Sequence, residues 1–326
     1  MSANISYAIS FTDPIPFDCS QQYDTFIEIM KFVCQMAYLI PGWILHILIL
    51  RTILWKESRV FLHNSFFVIY ALDSFASFTM LTCDITYGRA LMYIPPLCPI
   101  FSPYFFNPSF PQKLSYLIPN YMKAMKCVTQ IFMNINRLHC ILYPISYKTT
   151  WNRKILPITL FILLSPCLVT WNLMISRMFA FPIYGGFTVT YLKRVSWASL
   201  SLFHFIFLST AVIITIVCTI LSVFVLTTLS MRVKSVEMTL CLANFLISVG
   251  FVSTAFCQSF WAFCPTCSSD FLFGIQFLSY DFLNIASPLI IICMSSQLRD
   301  SILSSKIKQS PFIFISSLPS ATTQTI

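Results

Sequence analysis

The stretch LIPNYMKAMKCVTQIFMNINRLHCIL, Leu117–Leu142, is long enough to cross a bilayer but weak in hydropathy, because it holds Lys123, Lys126, Gln130, Asn134 and Asn136. A hydrocarbon core about 30 Å thick needs roughly 20 helical residues at about 1.5 Å each. Six other windows meet that need with predominantly apolar residues: Phe26–Leu50, Asn64–Tyr87, Ile155–Ser176, Trp197–Leu229, Met238–Phe263 and Leu272–Met294. The distribution of charge argues that Leu117–Leu142 is a seventh span. With that span and an outer amino terminus, twelve of the 20 Lys and Arg residues lie inside, among them Arg51, Arg59, Arg137, Lys148, Arg153 and Lys154. Five lie outside, Arg89, Lys113, Arg177, Lys193 and Arg194, and Lys31, Lys123 and Lys126 fall within spans. Without the span, the Arg137–Lys154 cluster would sit on the outer face, against the tendency of basic loops to stay cytoplasmic. The reading is an all-α integral membrane protein, a seven-transmembrane helix bundle over residues 26–296. An extracellular amino-terminal tail covers residues 1–25 and a cytoplasmic carboxyl-terminal tail covers 297–326.

Composition agrees. Residues are 57% hydrophobic and 16% aromatic but only 10% charged, more apolar surface than one soluble core hides. The 33 Phe against 6 Gly favour bulky helical runs over the alternating strands of a barrel. The net charge of +9 comes from short clusters between apolar runs, which marks topology and speaks against nucleic acid. Asp13, Asp18 and Asp24 precede the first window with no Lys or Arg, so no cleavable signal peptide is expected. Asn4-Ile5-Ser6 is a glycosylation sequon on the outer tail. The outer segment Gly88–Tyr116 carries Pro95, Pro96, Pro99, Pro103, Pro108 and Pro111, a composition that resists helix. Trp197–Leu229 has no charged residue, and its length of about 50 Å predicts tilt or projection. Cys34, Cys127, Cys140, Cys167, Cys218, Cys241 and Cys293 lie within windows and read as small buried hydrophobes. A disulfide is expected among Cys19, Cys83, Cys98, Cys257, Cys264 and Cys267, since the outside is oxidising; spacing does not give the pairing.

Ionisable groups at mid-membrane are costly and so are candidates for function. Asp73 and Asp281 each lie about ten residues into a window, near the midplane, and are expected to share one polar network that switches conformation. A purely structural network is the plainer alternative. Asp281, Asn284 and Pro288 form D-x-x-N-x-x-x-P, in which Pro288 frees a backbone carbonyl one turn back and favours a kink. Lys123 and Lys126, spaced i,i+3 in the outer half of a span, suggest a cationic floor for an anionic ligand; the alternative is pairing with Asp84 or snorkelling. There is no Gly-rich phosphate loop, H-E-x-x-H or G-x-S-x-G, and His46, His63, His139 and His204 are dispersed. No enzyme, metal or cofactor is expected.

Asn136-Arg137-Leu138 followed by Tyr143-Pro144-Ile145-Ser146-Tyr147 resembles the arginine triplet and Y-P-x-x-Y loop of rhodopsin-like G-protein-coupled receptors. Phe66-Phe67-Val68-Ile69-Tyr70-Ala71-Leu72-Asp73-Ser74, and Gly185-Gly186-Phe187 ahead of Val195-Ser196-Trp197-Ala198-Ser199-Leu200-Ser201-Leu202-Phe203, resemble the nematode serpentine receptor class gamma chemoreceptors. The resemblance runs from the first span to the seventh. It implies a chemosensory receptor of the plasma membrane or sensory cilium, with a small-molecule ligand in the bundle. A heterotrimeric G protein would meet Asn136, Arg137, Tyr143 and Pro144. The chain departs from the rhodopsin-like pattern where Asn136 replaces the acidic residue before the arginine, and where Arg177–Ser196 lacks a cysteine. A transporter or ligand-gated channel is the first rival, disfavoured by an odd span count and no detectable inverted repeat. An integral membrane enzyme is the second, disfavoured by the lack of clustered His or carboxylates at a membrane face.

Overall fold

A computed structural model describes residue 19 and residues 23–106, 110–228, 231–264 and 270–303. The first helix, α1 (Thr25–Arg51), starts where the Asp24 side chain accepts from the Phe26 N–H at 2.9 Å. It continues into a π-helical stretch, Thr52–Lys56, and the short α2 (Ser58–Phe61). Next comes α3 (Ser65–Cys83), capped by Asn64 on the Phe66 N–H at 3.0 Å. A second π-helical stretch, Asp84–Arg89, carries it on to α4 (Ala90–Tyr93). Then follow α5 (Cys98–Phe106), α6 (Phe110–Leu142), α7 (Pro144–Leu164), α8 (Cys167–Ile175) and the antiparallel strands β1 (Arg177–Ile183) and β2 (Gly186–Leu192). The chain continues through α9 (Leu200–Thr228), α10 (Met231–Phe263), α11 (Asp270–Met294) and α12 (Ser296–Leu303).

Among the described residues, six helical segments are long and apolar enough to cross a membrane: Thr25–Lys56, Ser65–Tyr93, Pro144–Ile175, Leu200–Thr227, Leu246–Phe263 and Phe271–Met294. The protein is thus a mostly helical, multi-pass membrane protein. α6 matches α10 at 33 residues yet falls short in apolar content. Its position explains why. α6 packs against α3, α7, α8 and α9, and all seven residues from Ala124 to Gln130 are buried, so two full turns present no face to lipid. A helix screened on every side tolerates polar groups that a lipid-facing helix does not, provided they find partners. They do: Asn134 donates to Thr215 Oγ1 at 2.9 Å and Asn136 to Ser65 Oγ at 2.8 Å. The largest apolar cluster surrounds this helix and includes Ile49, Tyr70, Met125, Trp151 and Ile291.

Two expectations need correction. The fold is not all-α, because the segment after α8 folds as a hairpin with register Arg177↔Leu192 to Ile183↔Gly186. Its two-residue turn puts Tyr184 at φ 50 and Gly185 at φ 81, the left-handed region that suits this loop length. Tyr184 is held there by stacking on Tyr93 at 5.4 Å. A Cβ on Gly186 would lie 2.0 Å from the Leu91 carbonyl oxygen, so only glycine lets the hairpin dock on α4. The proline-rich segment is also helical over most of its described length. Pro95 and Pro96 open a 3₁₀ turn, while Pro99 and Pro111 take second positions of α5 and α6, where a missing N–H costs nothing.

The hairpin also shapes the next element. The Leu200 N–H donates to the Tyr191 hydroxyl at 2.8 Å, and burial raises the Tyr191 phenol above its ordinary pKa, so it remains a neutral acceptor at the start of α9. A Cys19–Cys98 disulfide ties the segment before α1 to α5. Both belong to the expected set, in which Cys264 is disulfide-bonded as well while Cys83 and Cys257 are free thiols. Asn4, Cys267 and the tail beyond residue 303 lie outside the described residues.

Candidate functional site

Among the described residues, two groups of buried opposite charges link helices of the bundle. Nearer the hairpin, Arg89 is 1% exposed and spreads its guanidinium over three partners. Nε meets Asp84 Oδ2 at 2.6 Å, one terminal nitrogen donates to Gln35 Oε1 at 2.9 Å, and the other meets Asp281 Oδ1 at 2.5 Å. The Phe277 ring lies 4.8 Å from the guanidinium carbon, and the Tyr38 hydroxyl donates to Asp281 Oδ2 at 2.7 Å. The π-helical stretch Asp84–Arg89 sets this geometry, since its wider turn rotates Arg89 inward, as such bulges often do at functional places. Gly88 takes part, because a Cβ there would meet Asp84 Oδ1 at 2.8 Å.

The second group surrounds Asp73. The Thr129 hydroxyl donates to Oδ1 at 3.0 Å, and Ser287 Oγ and Lys126 Nζ both lie 3.4 Å from Oδ2. Lys126 also donates to Ser77 Oγ. Asp73 and Asp281 are both buried, but no hydrogen bond or ion pair joins their groups among the described residues. The expectation of one shared network is therefore corrected. Asp73 stands level with Ser287, six residues past Asp281 and about 9 Å further along α11.

Lys123 and Lys126 do come together, as spacing suggested. With His204, Tyr280, Met80 and Phe251 they line an enclosed cavity of about 10 Å³ among α3, α6, α9, α10 and α11, room for about one water. Lys123 has no carboxylate within ion-pair distance among the described residues, and its ammonium sits 4.2 Å from the centre of the Tyr280 ring. Asp84, offered as its partner, is engaged by Arg89 and does not line this cavity.

The D-x-x-N-x-x-x-P segment behaves as its chemistry requires. Pro288 has no N–H for the Asn284 carbonyl, and His46 Nε2 takes that place at 2.7 Å. A carbonyl only accepts, so Nε2 carries the proton, leaving Nδ1 to the Ser74 hydroxyl at 2.8 Å. His46 thus joins α1, α3 and α11. One turn earlier Gly42 allows close approach, since a Cβ there would lie 2.9 Å from Ile285 Cγ1.

At the far end of α6, Asn136, Ser65 and Tyr147 form a triangle of hydrogen bonds. Asn136 Nδ2 donates to Ser65 Oγ at 2.8 Å, the Tyr147 hydroxyl donates to Asn136 Oδ1 at 2.9 Å, and the two hydroxyls are 3.0 Å apart. Arg137 lies with its guanidinium carbon 4.2 Å from the Phe66 ring centre. Tyr143 is exposed, and Pro144 opens α7 at a position that suits proline.

Sequence reasoning missed Arg89, His46 and Tyr38. By sequence Arg89 falls in an outer segment, because the apolar window ends at Tyr87, two residues short. His46 reads as one of four scattered histidines. The available signal was a histidine with no charged neighbour inside an apolar window, which must find partners on another helix.

The profile described as Srg family chemoreceptor matches residues 32–302. Serpentine receptor class gamma-16 of Caenorhabditis elegans is 44% identical over 287 residues, 88% of this chain and 88% of that protein. Serpentine receptor class gamma-15 of the same organism is 41% identical over 300 residues, 91% of this chain and 93% of that protein. Serpentine receptor class gamma-5 is 40% identical over 302 residues, 92% of each.

Proposed function

The chain belongs to the Srg family of chemoreceptors, and on that premise we propose that it binds a small chemical cue within a seven-span bundle and signals to a heterotrimeric G protein. The observation that carries this reading is the internal cavity, which gathers Lys123 and Lys126 from α6 with side chains of four other helices. Its present volume of about 10 Å³ admits no odorant, so a ligand would select a bundle in which α9, α10 and α11 stand further from α6. An anionic group on the cue would supply the countercharge that Lys123 lacks, through a charge-assisted hydrogen bond.

In this reading α6 is the additional span, because its central burial excuses its low hydropathy. The hairpin end faces outward, supported by the Cys19–Cys98 disulfide there and by the basic residues Arg51, Arg59, Arg153 and Lys154 at the other end. Asp73, Asp281, Asn284 and Pro288 form the part of the bundle that rearranges. Asn136, Arg137, Tyr143 and Pro144 form the G-protein face, with the Asn136 triangle bracing α6 at the position where the rhodopsin-like pattern has an acidic residue. The relatives' names describe receptors, which favours this reading over a transporter, channel or enzyme.

The test is expression with a second-messenger readout. Lys123→Gln, checked at the cell surface, should lower potency about ten-fold for an acidic agonist and much less for its neutral amide. Equal losses for both would remove the anion site. Arg137→Ala should abolish signalling with ligand binding retained, and a variant that signals normally would take Arg137 out of the mechanism. A ligand-independent ion current from purified protein would favour a channel instead.

A further inference from the structure

At the end of the bundle opposite the hairpin, a cleft of about 430 Å³ opens between the α2–α3 turn and α7. Ser58, Arg59, Leu62, His63, Asn152 and Ile155 line it. Arg59 and His63 are exposed, and neither has a carboxylate within 4.0 Å among the described residues. Glu57, two residues before Arg59, accepts from the Ser301 hydroxyl at 2.8 Å and so is engaged by α12. Arg153 and Lys154, exposed beside Asn152, raise the positive potential further.

The cleft also has apolar lining. Leu62 and Ile155 form part of its lining, and Leu156 and Leu160 continue along α7 at 67% and 50% exposure. In a membrane protein such side chains face acyl chains. Trp55, 73% exposed and shortly before α2, marks the headgroup level, where an indole finds both apolar and polar surroundings. Cations, an amide and a hydroxyl together with hydrocarbon in one cleft match the two halves of a phospholipid.

We propose that this cleft binds an anionic phospholipid. The Arg59 fork and His63 take the headgroup phosphate, Ser58 and Asn152 add hydrogen bonds, and the acyl chains lie along Leu62, Ile155 and Leu156. The proposal depends on membrane embedding alone and stands apart from the chemosensory reading.

The test is native mass spectrometry of the purified full-length protein in detergent, titrated in turn with a phosphatidylinositol bisphosphate, phosphatidylserine, phosphatidylcholine and soluble inositol trisphosphate. Retained adducts should favour the anionic lipids over phosphatidylcholine. Arg59→Gln with His63→Gln should lower anionic adducts about thirty-fold, and Arg59→Gln alone about five-fold. Arg51→Gln, exposed at the same end but outside the cleft, should leave them unchanged. Folding is checked by melting temperature, and if the double variant loses its transition the single Arg59→Gln is read in its place. An equal loss with Arg51→Gln would mean diffuse surface charge. Unchanged adducts in Arg59→Gln, or displacement of lipid by equimolar inositol trisphosphate, would overturn the lipid site.

Discussion

Arg89 meets Asp84, Asp281 and Gln35 through three separate nitrogens, whereas Lys126 of α6 has one carboxylate, Asp73, at 3.4 Å. The difference follows from the cations. A planar guanidinium fits several partners at once in fixed directions, and an ammonium on a flexible stem is a point charge that swings. It also follows from surroundings. The Arg89 group is closed by Phe277 and Tyr38, while Lys126 borders the internal cavity. One group ties α1, α11 and the stretch after α3 at three points, so rearrangement there must break several contacts at once; the other has room to rearrange by breaking fewer. Buried pairs contribute little net stability when intact but cost much when one partner is removed, so the contrast is open to mutation.

The largest effect is expected at Arg89. Arg89→Met leaves Asp84 and Asp281 with no cation among the described residues, and should cost about 3–5 kcal/mol, seen as loss of surface protein and of the melting transition in detergent. Adding Asp281→Asn should not rescue it, because Asp84 remains. The Asp73 group should behave otherwise: Lys126→Met should lower the melting temperature, and adding Asp73→Asn should restore most of it, since only one carboxylate needs its charge removed. If the deeper pair also resists rescue, the two groups are alike and the contrast fails. A finer measure is the cycle of Asp73→Asn and Asp281→Asn. Separate groups should give stability changes that add within about 0.5 kcal/mol, and a larger coupling would reveal a connection between them. The smallest effect is expected for Tyr38→Phe, which removes one of the hydrogen bonds to Asp281 and should cost about 1 kcal/mol with the Arg89 contacts intact.

The sequence alone made the membrane class, six apolar windows and the family legible, because hydrophobic length and charge distribution are properties of the chain itself. It also placed Lys123 and Lys126 on one helix face and predicted the carbonyl that Pro288 frees, since both follow from local helical geometry. It could not show that Asn136 would join Ser65 and Tyr147, or that His46 would take the Asn284 carbonyl, because those partners are brought near only by packing. The hairpin was hidden for a related reason. Strand pairing and the close docking of Gly186 on Leu91 depend on contacts between segments, and the prolines that discourage helix in general are harmless at helix starts. Arg89 is the sharpest case: sequence places it outside the membrane because the apolar window ends at Tyr87, and tertiary structure buries it, because Asp84 one turn away, Gln35 of α1 and Asp281 of α11 satisfy it where water could not.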